Sequence, residues 1–172
     1  EGRSERIMLG HQQPTDTLHL RFESTPYIHV PPNDSVFWHT LLHAILQGAS
    51  RSLQIERRDI GGVLFPVMST TGGWHQTVVL YDSVPGGAGH VRDIKENFGL
   101  VIREARRVVD CTECAPDSSC VHCLRDYDNQ ALYPLLRRNS VIRYLEALEA
   151  ELDAPTHSSV GNVAVAAINR GK

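Results

Sequence analysis

Cysteine occurs only at Cys111, Cys114, Cys120 and Cys123 in the 172-residue chain. Cys111-Thr-Glu-Cys114 and Cys120-Val-His-Cys123 are both C-x-x-C turns, in which two sulfurs reach one ion while backbone N–H groups of the turn point at them. The short link Ala115-Pro-Asp-Ser-Ser119 can fold one turn onto the other. Four thiolates gathered so locally suit a tetrahedral Zn2+. A closed four-cysteine site leaves no open coordination position, so such a metal is structural. An iron–sulfur cluster accepts the same ligands. Disulfides and thioredoxin-type redox chemistry fit less well, because an intracellular setting is expected and the first pair follows a helix instead of opening one. His122 lies inside the second turn and is expected to point outward.

A second constellation is Asp82-Ser-Val-Pro-Gly-Gly-Ala-Gly-His90, joining a strand to a helix. Gly86, Gly87, Gly89 and His90 form a candidate phosphate or anion site, since free N–H groups at a helix start favour an anion. The other reading is a tight turn whose glycines only supply unusual φ angles. The run matches neither the dinucleotide fingerprint nor the Walker A pattern, so no ATP site is expected. Asp82, Ser83 and His90 do not make a nucleophile-elbow triad. His39 and His43, one helical turn apart, lack the glutamate and third ligand of a zinc protease and are read as helix residues. Arg103, Arg106 and Arg107 precede the cysteines, and Arg125, Arg137, Arg138 and Arg143 follow them. Of these, Arg103, Arg107, Arg125, Arg137 and Arg138 are candidate DNA contacts, with a solvated and partly paired surface as the alternative.

The elements that must position these residues follow from periodicity. Thr15 to Glu23 alternates, with Leu18, Leu20 and Phe22 on one side, as in a half-buried strand. Asp34 or Ser35 can cap a helix over about 36–53 that carries a broad apolar face. Residues 54–68 suggest one or two short strands around Gly61-Gly62. Thr77 to Tyr81 is a short apolar run suited to a strand buried on both faces. Val91, Ile94, Phe98, Val101, Ile102, Ala105 and Val108 recur at helical spacing, predicting one long helix over about 89–109. Asn139 or Ser140 can cap a last helix ending near Leu152, before Pro155. The fold class is therefore α+β: a small mixed sheet packed with three main helices, and a C-terminal part stabilised by a four-cysteine zinc site. Residues 1–14 read as a linker or the end of a preceding region, 15–152 as the domain, and 153–172 as a tail or linker.

Lys and Arg number 17 against 20 Asp and Glu, a net charge of −3. That balance excludes DNA binding by bulk charge and leaves only a local patch. With 41% hydrophobic and 22% charged residues the chain is an ordinary globular domain. No apolar run approaches the length of a membrane span, and a cytoplasmic location is expected. The start at Glu1 suggests a fragment of something longer.

The order of motifs resembles the MrfA-type zinc-binding domain of large DEAD/DEAH-box DNA helicases, also found in the helicase-like subunit of the DISARM phage-defence system. The matching pieces are FWHTLLHAIL, RRDIGG, VVLYDSVPGGAGHV, the two C-x-x-C turns and CLRDYDNQ followed by LLRR. Together they span roughly 35–150. The last run is closer to the defence branch. The resemblance implies a zinc-holding accessory domain with Cys111, Cys114, Cys120 and Cys123 as ligands. It also implies helicase motor domains in the parent chain or a partner subunit, DNA as a candidate ligand, and a role in phage defence or repair. The chain alone is not expected to be an enzyme. The competing function is a phosphate- or phosphodiester-processing enzyme using the Asp82–His90 loop. Tyr133 and Arg137-Arg138 depart from the histidine and Asp-Arg pair that relatives often carry.

Overall fold

Nearly every side of the helix Ser35–Leu53 (α1) is apolar, and a helix of that kind must be enclosed on several faces. In the computed structural model it is the centre of the core. Residues 14–24, 29–68 and 72–153 are described, together with the backbone of 163–170. Asp34 caps α1 by accepting the Phe37 N–H on Oδ1 at 3.1 Å, and Gln54 closes it in a left-handed conformation. Phe37, Trp38, Leu41, Leu42, Ala44, Ile45, Leu46 and Ala49 are buried along its length.

One side of α1 faces a four-stranded sheet of order β2-β3-β1-β4, formed by Asp16–Phe22 (β1), Ile60–Met68 (β2), Trp74–Asp82 (β3) and Val163–Arg170 (β4). Leu18 stands opposite Leu80, and Leu20 opposite Val78. All four side chains are fully buried, so the period of two puts one apolar row of each strand on the helices. All three pairings are antiparallel. The α+β class stands as expected, while the sheet is antiparallel throughout instead of mixed. The segment expected to be a tail contributes β4, which pairs with β1.

The other side of α1 meets the helix Phe98–Val109 (α3) at Gly48. A Cβ there would lie 2.6 Å from the Val101 carbonyl oxygen and 2.7 Å from the Ala105 nitrogen, so the two backbones touch. The expected long helix is broken at Asn97 (φ −112°, ψ 27°) into His90–Glu96 (α2) and α3. Asn97 N–H makes the ordinary helix bond to the Asp93 carbonyl at 3.0 Å, and its Nδ2 donates to the same carbonyl at 3.0 Å, a local side-chain bond that competes with helix continuation. The helix Ile142–Asp153 (α4) packs on α3. Arg103 and Arg106 of α3 both reach Glu149 of α4, and Arg103 also reaches Asp153. Phe22, Phe37, Trp38 and Tyr144 form an aromatic cluster joining β1, α1 and α4.

Candidate metal centre and its supports

The stretch between α3 and α4 has only short 3-10 turns, at Gln130–Leu135 and Arg138–Ser140. Its organisation comes from the cysteines. Sγ of Cys111 lies 3.8 Å from that of Cys120, and Cys123 Sγ lies 3.8 Å from those of both Cys114 and Cys120. All four sulfurs fall within 4.8 Å of one another. A tetrahedron with arms of about 2.3 Å, the Zn–S distance, has edges of about 3.8 Å. A disulfide requires about 2.05 Å, and all four thiols are free. The donor set therefore fits a tetrahedral metal ion.

Within the second turn the Cys120 N–H donates to Cys123 Sγ at 3.1 Å. The N–H groups of Cys123 and Arg125 both go to the Cys120 carbonyl. Burial pushes the Cys123 thiol up to about 12, and burial also raises Cys114. These thiols hold their protons at neutral pH until a cation takes their place. Cys123 and Leu124 are buried in the core, and the other three cysteines pack against it.

Three arginine contacts brace the two turns. Arg51, in the last turn of α1, donates to the His122 carbonyl at 2.7 Å, while His122 itself is exposed as expected. Arg138 spends its guanidinium on the carbonyls of Val109, Cys114 and Ala115. Arg125 donates to Ser119 Oγ at 3.0 Å and lies 4.7 Å over the Tyr133 ring. The link between the turns is held by backbone as well, with Arg138 N–H on the Ser118 carbonyl and Asn139 N–H on that of Pro116.

A polar seam continues from the metal centre to α1. Asn129 Nδ2 donates to the Leu124 carbonyl at 2.8 Å and meets His43 Nδ1 at 3.1 Å. Burial, then the nearby Arg57 charge, lowers the His43 pKa to about 4, so the ring is neutral and accepts at Nδ1. Asp126 Oδ1 takes the N–H groups of Asp128 and Asn129, and its Oδ2 faces Arg57 Nε at 3.3 Å. Thr40 Oγ1 donates to the Leu135 carbonyl and accepts the Arg137 N–H. The segments HTLLH, RRDIGG and RDYDNQ, far apart in the chain, thus meet in one network. Read singly, His43 and Thr40 gave no such signal. The cysteines are the one group of three or more metal-competent side chains among the described residues, and His39 and His43 are not part of it.

The glycine loop departs from the anion-site expectation. Asp82 is fully buried at the end of β3. Its carboxylate accepts the N–H groups of Ala88, Gly89 and Val91 at 2.8, 2.7 and 3.0 Å. Gly86 N–H goes to the Pro14 carbonyl and Gly87 N–H to that of Val84. The N–H groups of Gly86, Gly87 and Gly89 that would cradle a phosphate are thus consumed by the chain itself, with the buried Asp82 carboxylate on the N–H groups flanking His90. Gly86, Gly87 and Gly89 have φ near +86°, +80° and +89°, the turn-forming role.

The candidate DNA arginines also separate. Arg138 is bound to carbonyls, Arg103 to α4 carboxylates, and Arg125 to Ser119 and Tyr133. Arg107 makes an exposed pair with Glu104. Arg137 is exposed, and no side-chain partner is found for it among the described residues.

An α+β layer with a closed four-cysteine centre packed on its core defines a structural metal-binding domain. Residues 41–124, just under half of the chain, match the family model of the MrfA Zn-binding domain (MZB). It is similar to the Druantia protein DruE of Escherichia coli (strain UMEA 4076-1), 29% identical over 156 residues, covering 83% of this chain and 8% of that protein. The fold is similar to the crystal structure of the DUF1998 helicase MrfA bound to DNA. There the TM-score is 0.50 at 18% identity, over 77% of this chain and 17% of that one. A second structure of that helicase, bound to DNA and AMPPNP, gives a TM-score of 0.46. The chain thus spans a small part of the length of either relative. Among the described residues no helix is long and apolar enough to cross a membrane.

Proposed function

We propose that this chain is the zinc-holding accessory domain of a larger helicase-like protein, acting in the cytoplasm in phage defence or DNA repair. Its task is to support DNA binding or assembly of the complex, with the ATP-dependent motor elsewhere in the parent chain or in a partner subunit. The observation that carries this reading is the closed four-cysteine centre, braced by α1, α3 and residues 138–139, in a chain whose residues 41–124 match the MZB model. Such a centre has no position for substrate and serves to hold surrounding chain in place.

Where DNA is touched, Arg137 is the leading contact, with Arg107 second, because their guanidiniums are exposed and weakly engaged. Elemental analysis of the purified chain is the direct test of the metal: one zinc per chain is expected, and iron with acid-labile sulfide overturns the zinc assignment. For DNA, Arg137→Ala should weaken binding of duplex or single strands by the metal-loaded chain and reduce the slope of log K against log salt by about 1. Absence of DNA binding by the intact domain at low salt overturns the DNA role and leaves assembly.

A further inference from the structure

Strand β2 ends the sheet, and among the described residues nothing pairs with its outer side. The phase of its ladder follows from one bond. Ser83 N–H donates to the Asp59 carbonyl at 2.8 Å, one step beyond the Ile60–Asp82 pair. Because antiparallel pairs alternate, Gly61, Val63, Phe65 and Val67 turn their backbone groups towards β3, while Ile60, Gly62, Leu64 and Pro66 turn theirs away. Two facts agree with that phase. Arg57 Nη1 reaches the Ile60 carbonyl at 2.8 Å. Pro66, which has no N–H, falls among the residues that owe none to the ladder. Gly62 and Leu64 therefore present both N–H and C=O along an open edge, and Pro66 presents its C=O.

Natural sheets protect such an edge with charge, and here there is none: IGGVLFPVM carries no ionisable residue. Val63 and Phe65 are 45% and 57% exposed on the outer face. Beside the edge runs a groove of about 750 Å³, between β2 and α1, walled by His39, Leu42, Leu46 and Leu132. The strand lies close against this wall, since a Cβ on Gly62 would come within 2.6 Å of Leu42 Cδ1. Near Ile60 the groove turns cationic, with Arg57 and Arg58 against the single lining carboxylate of Asp128. Arg57 is held by Asp126, but the pair of Arg58 with Glu56 is exposed on both sides and readily exchanged.

We propose that the outer edge of β2 receives an extended segment of a partner protein as a fifth strand. Its backbone pairs with Gly62, Leu64 and the Pro66 carbonyl, its alternate apolar side chains enter the groove, and an acidic side chain sits at Arg58. This groove contains none of the four cysteines, and its role does not depend on the DNA reading.

The experiment is selection of phage-displayed octapeptides against the metal-loaded 172-residue chain, followed by affinity measurement with the synthetic peptides. Selected sequences should alternate apolar residues and carry Asp or Glu at one end, and should slow hydrogen exchange at the Gly62 and Leu64 amides. N-methylation of the peptide amides that face β2 should cost about tenfold or more in affinity, roughly the loss of two net hydrogen bonds, whereas methylation of the alternate amides should not. Leu64→Pro removes an outward N–H and none from the β2–β3 ladder, and should cost about tenfold too; if it fails to fold, the N-methyl peptides decide alone. Arg58→Glu should weaken the acidic peptides and spare neutral ones. Failure to select any peptide, equal affinity after either methylation, or protection confined to other strands overturns the proposal. Self-association of the chain abolished by Leu64→Pro overturns it in favour of a second copy.

Discussion

The side-chain amide of Asn129 lies 3.1 Å from Nδ1 of His43, joining the segment after the metal centre to the middle of α1. His43 is buried and its pKa is lowered from 6.5 to about 4, by burial first and by Arg57 second. Above pH 6.5 the ring is neutral whether the chain is folded or not. Between 6.5 and about 4 the unfolded chain takes up a proton that the folded chain refuses, so stability falls as pH falls through this window and this loss ends below it. The full loss is about 3 kcal/mol. Denaturant melts of the wild type and His43→Leu at pH 7, 5.5 and 4.5 test this. The stability gap between the two should change by a few kcal/mol in that window, since acid release of the metal is common to both. A constant gap would rule out His43 as the titrating group.

The metal centre should be coupled to folding. Cys120→Ser is expected to abolish stoichiometric metal binding and to lower Tm by on the order of 10 °C, the scale of losing several kcal/mol in a domain of this size. Chelation of the wild type should reproduce the shift. Because the Cys123 thiol sits at about 12 without an ion, metal uptake must release protons and affinity must fall with falling pH. A metal titration in weakly buffered solution measures both.

Arg138 and Arg137 are neighbours with separable effects. Arg138→Lys keeps the charge but cannot span the carbonyls of Val109, Cys114 and Ala115. It should destabilise by about 1–3 kcal/mol and weaken metal retention against a chelator. Arg137→Ala should leave both unchanged, since its guanidinium is exposed. Equal melting curves for Arg138→Lys and the wild type would show the bracing to be idle.

Asp82→Asn replaces an acceptor oxygen with an amide facing one or more of the Ala88, Gly89 and Val91 N–H groups. A loss of about 2–4 kcal/mol is expected from equilibrium unfolding, because a buried charged acceptor is removed and donors are left unpaired. Phosphate should not bind at this loop in the wild type; a chemical-shift change at Gly89 on adding phosphate would contradict that.

At Gly48, alanine is the better helix former, yet Gly48→Ala should destabilise by about 1–3 kcal/mol, since its Cβ meets backbone atoms of Val101 and Ala105 that cannot give way cheaply. Thermal melting gives the sign directly.

The sequence made α1, β1, β3 and the four ligands legible for one reason: each is encoded locally, by an Asp cap, an alternation or a C-x-x-C spacing. What it concealed is decided between distant residues. The break at Asn97 leaves no trace in the apolar pattern, because Ile94, Phe98, Val101 and Ile102 keep helical spacing across it. The Asp82 loop had the composition of an anion cradle, and only the fold of the strand end put the carboxylate under its own N–H groups. The arginines around the cysteines were equally ambiguous, since their number says nothing about which carbonyls or carboxylates lie within reach. Membership of β4 in the sheet depends on β1, at the opposite end of the chain.

The metal ligands lie close together in sequence, whereas β1 must find β3 from about sixty residues away and β4 from about a hundred and fifty. Loop-closure entropy grows with separation, so the cysteine turns can close around an ion while the rest of the chain is still a coil. The metal then acts as a nucleus as much as a staple: it shortens the search between α3 and α4 before any strand has paired. Refolding followed by pulsed hydrogen exchange should show the Cys123 and Arg125 amides protected ahead of those of β1 when metal is present, and this lead should vanish when it is withheld.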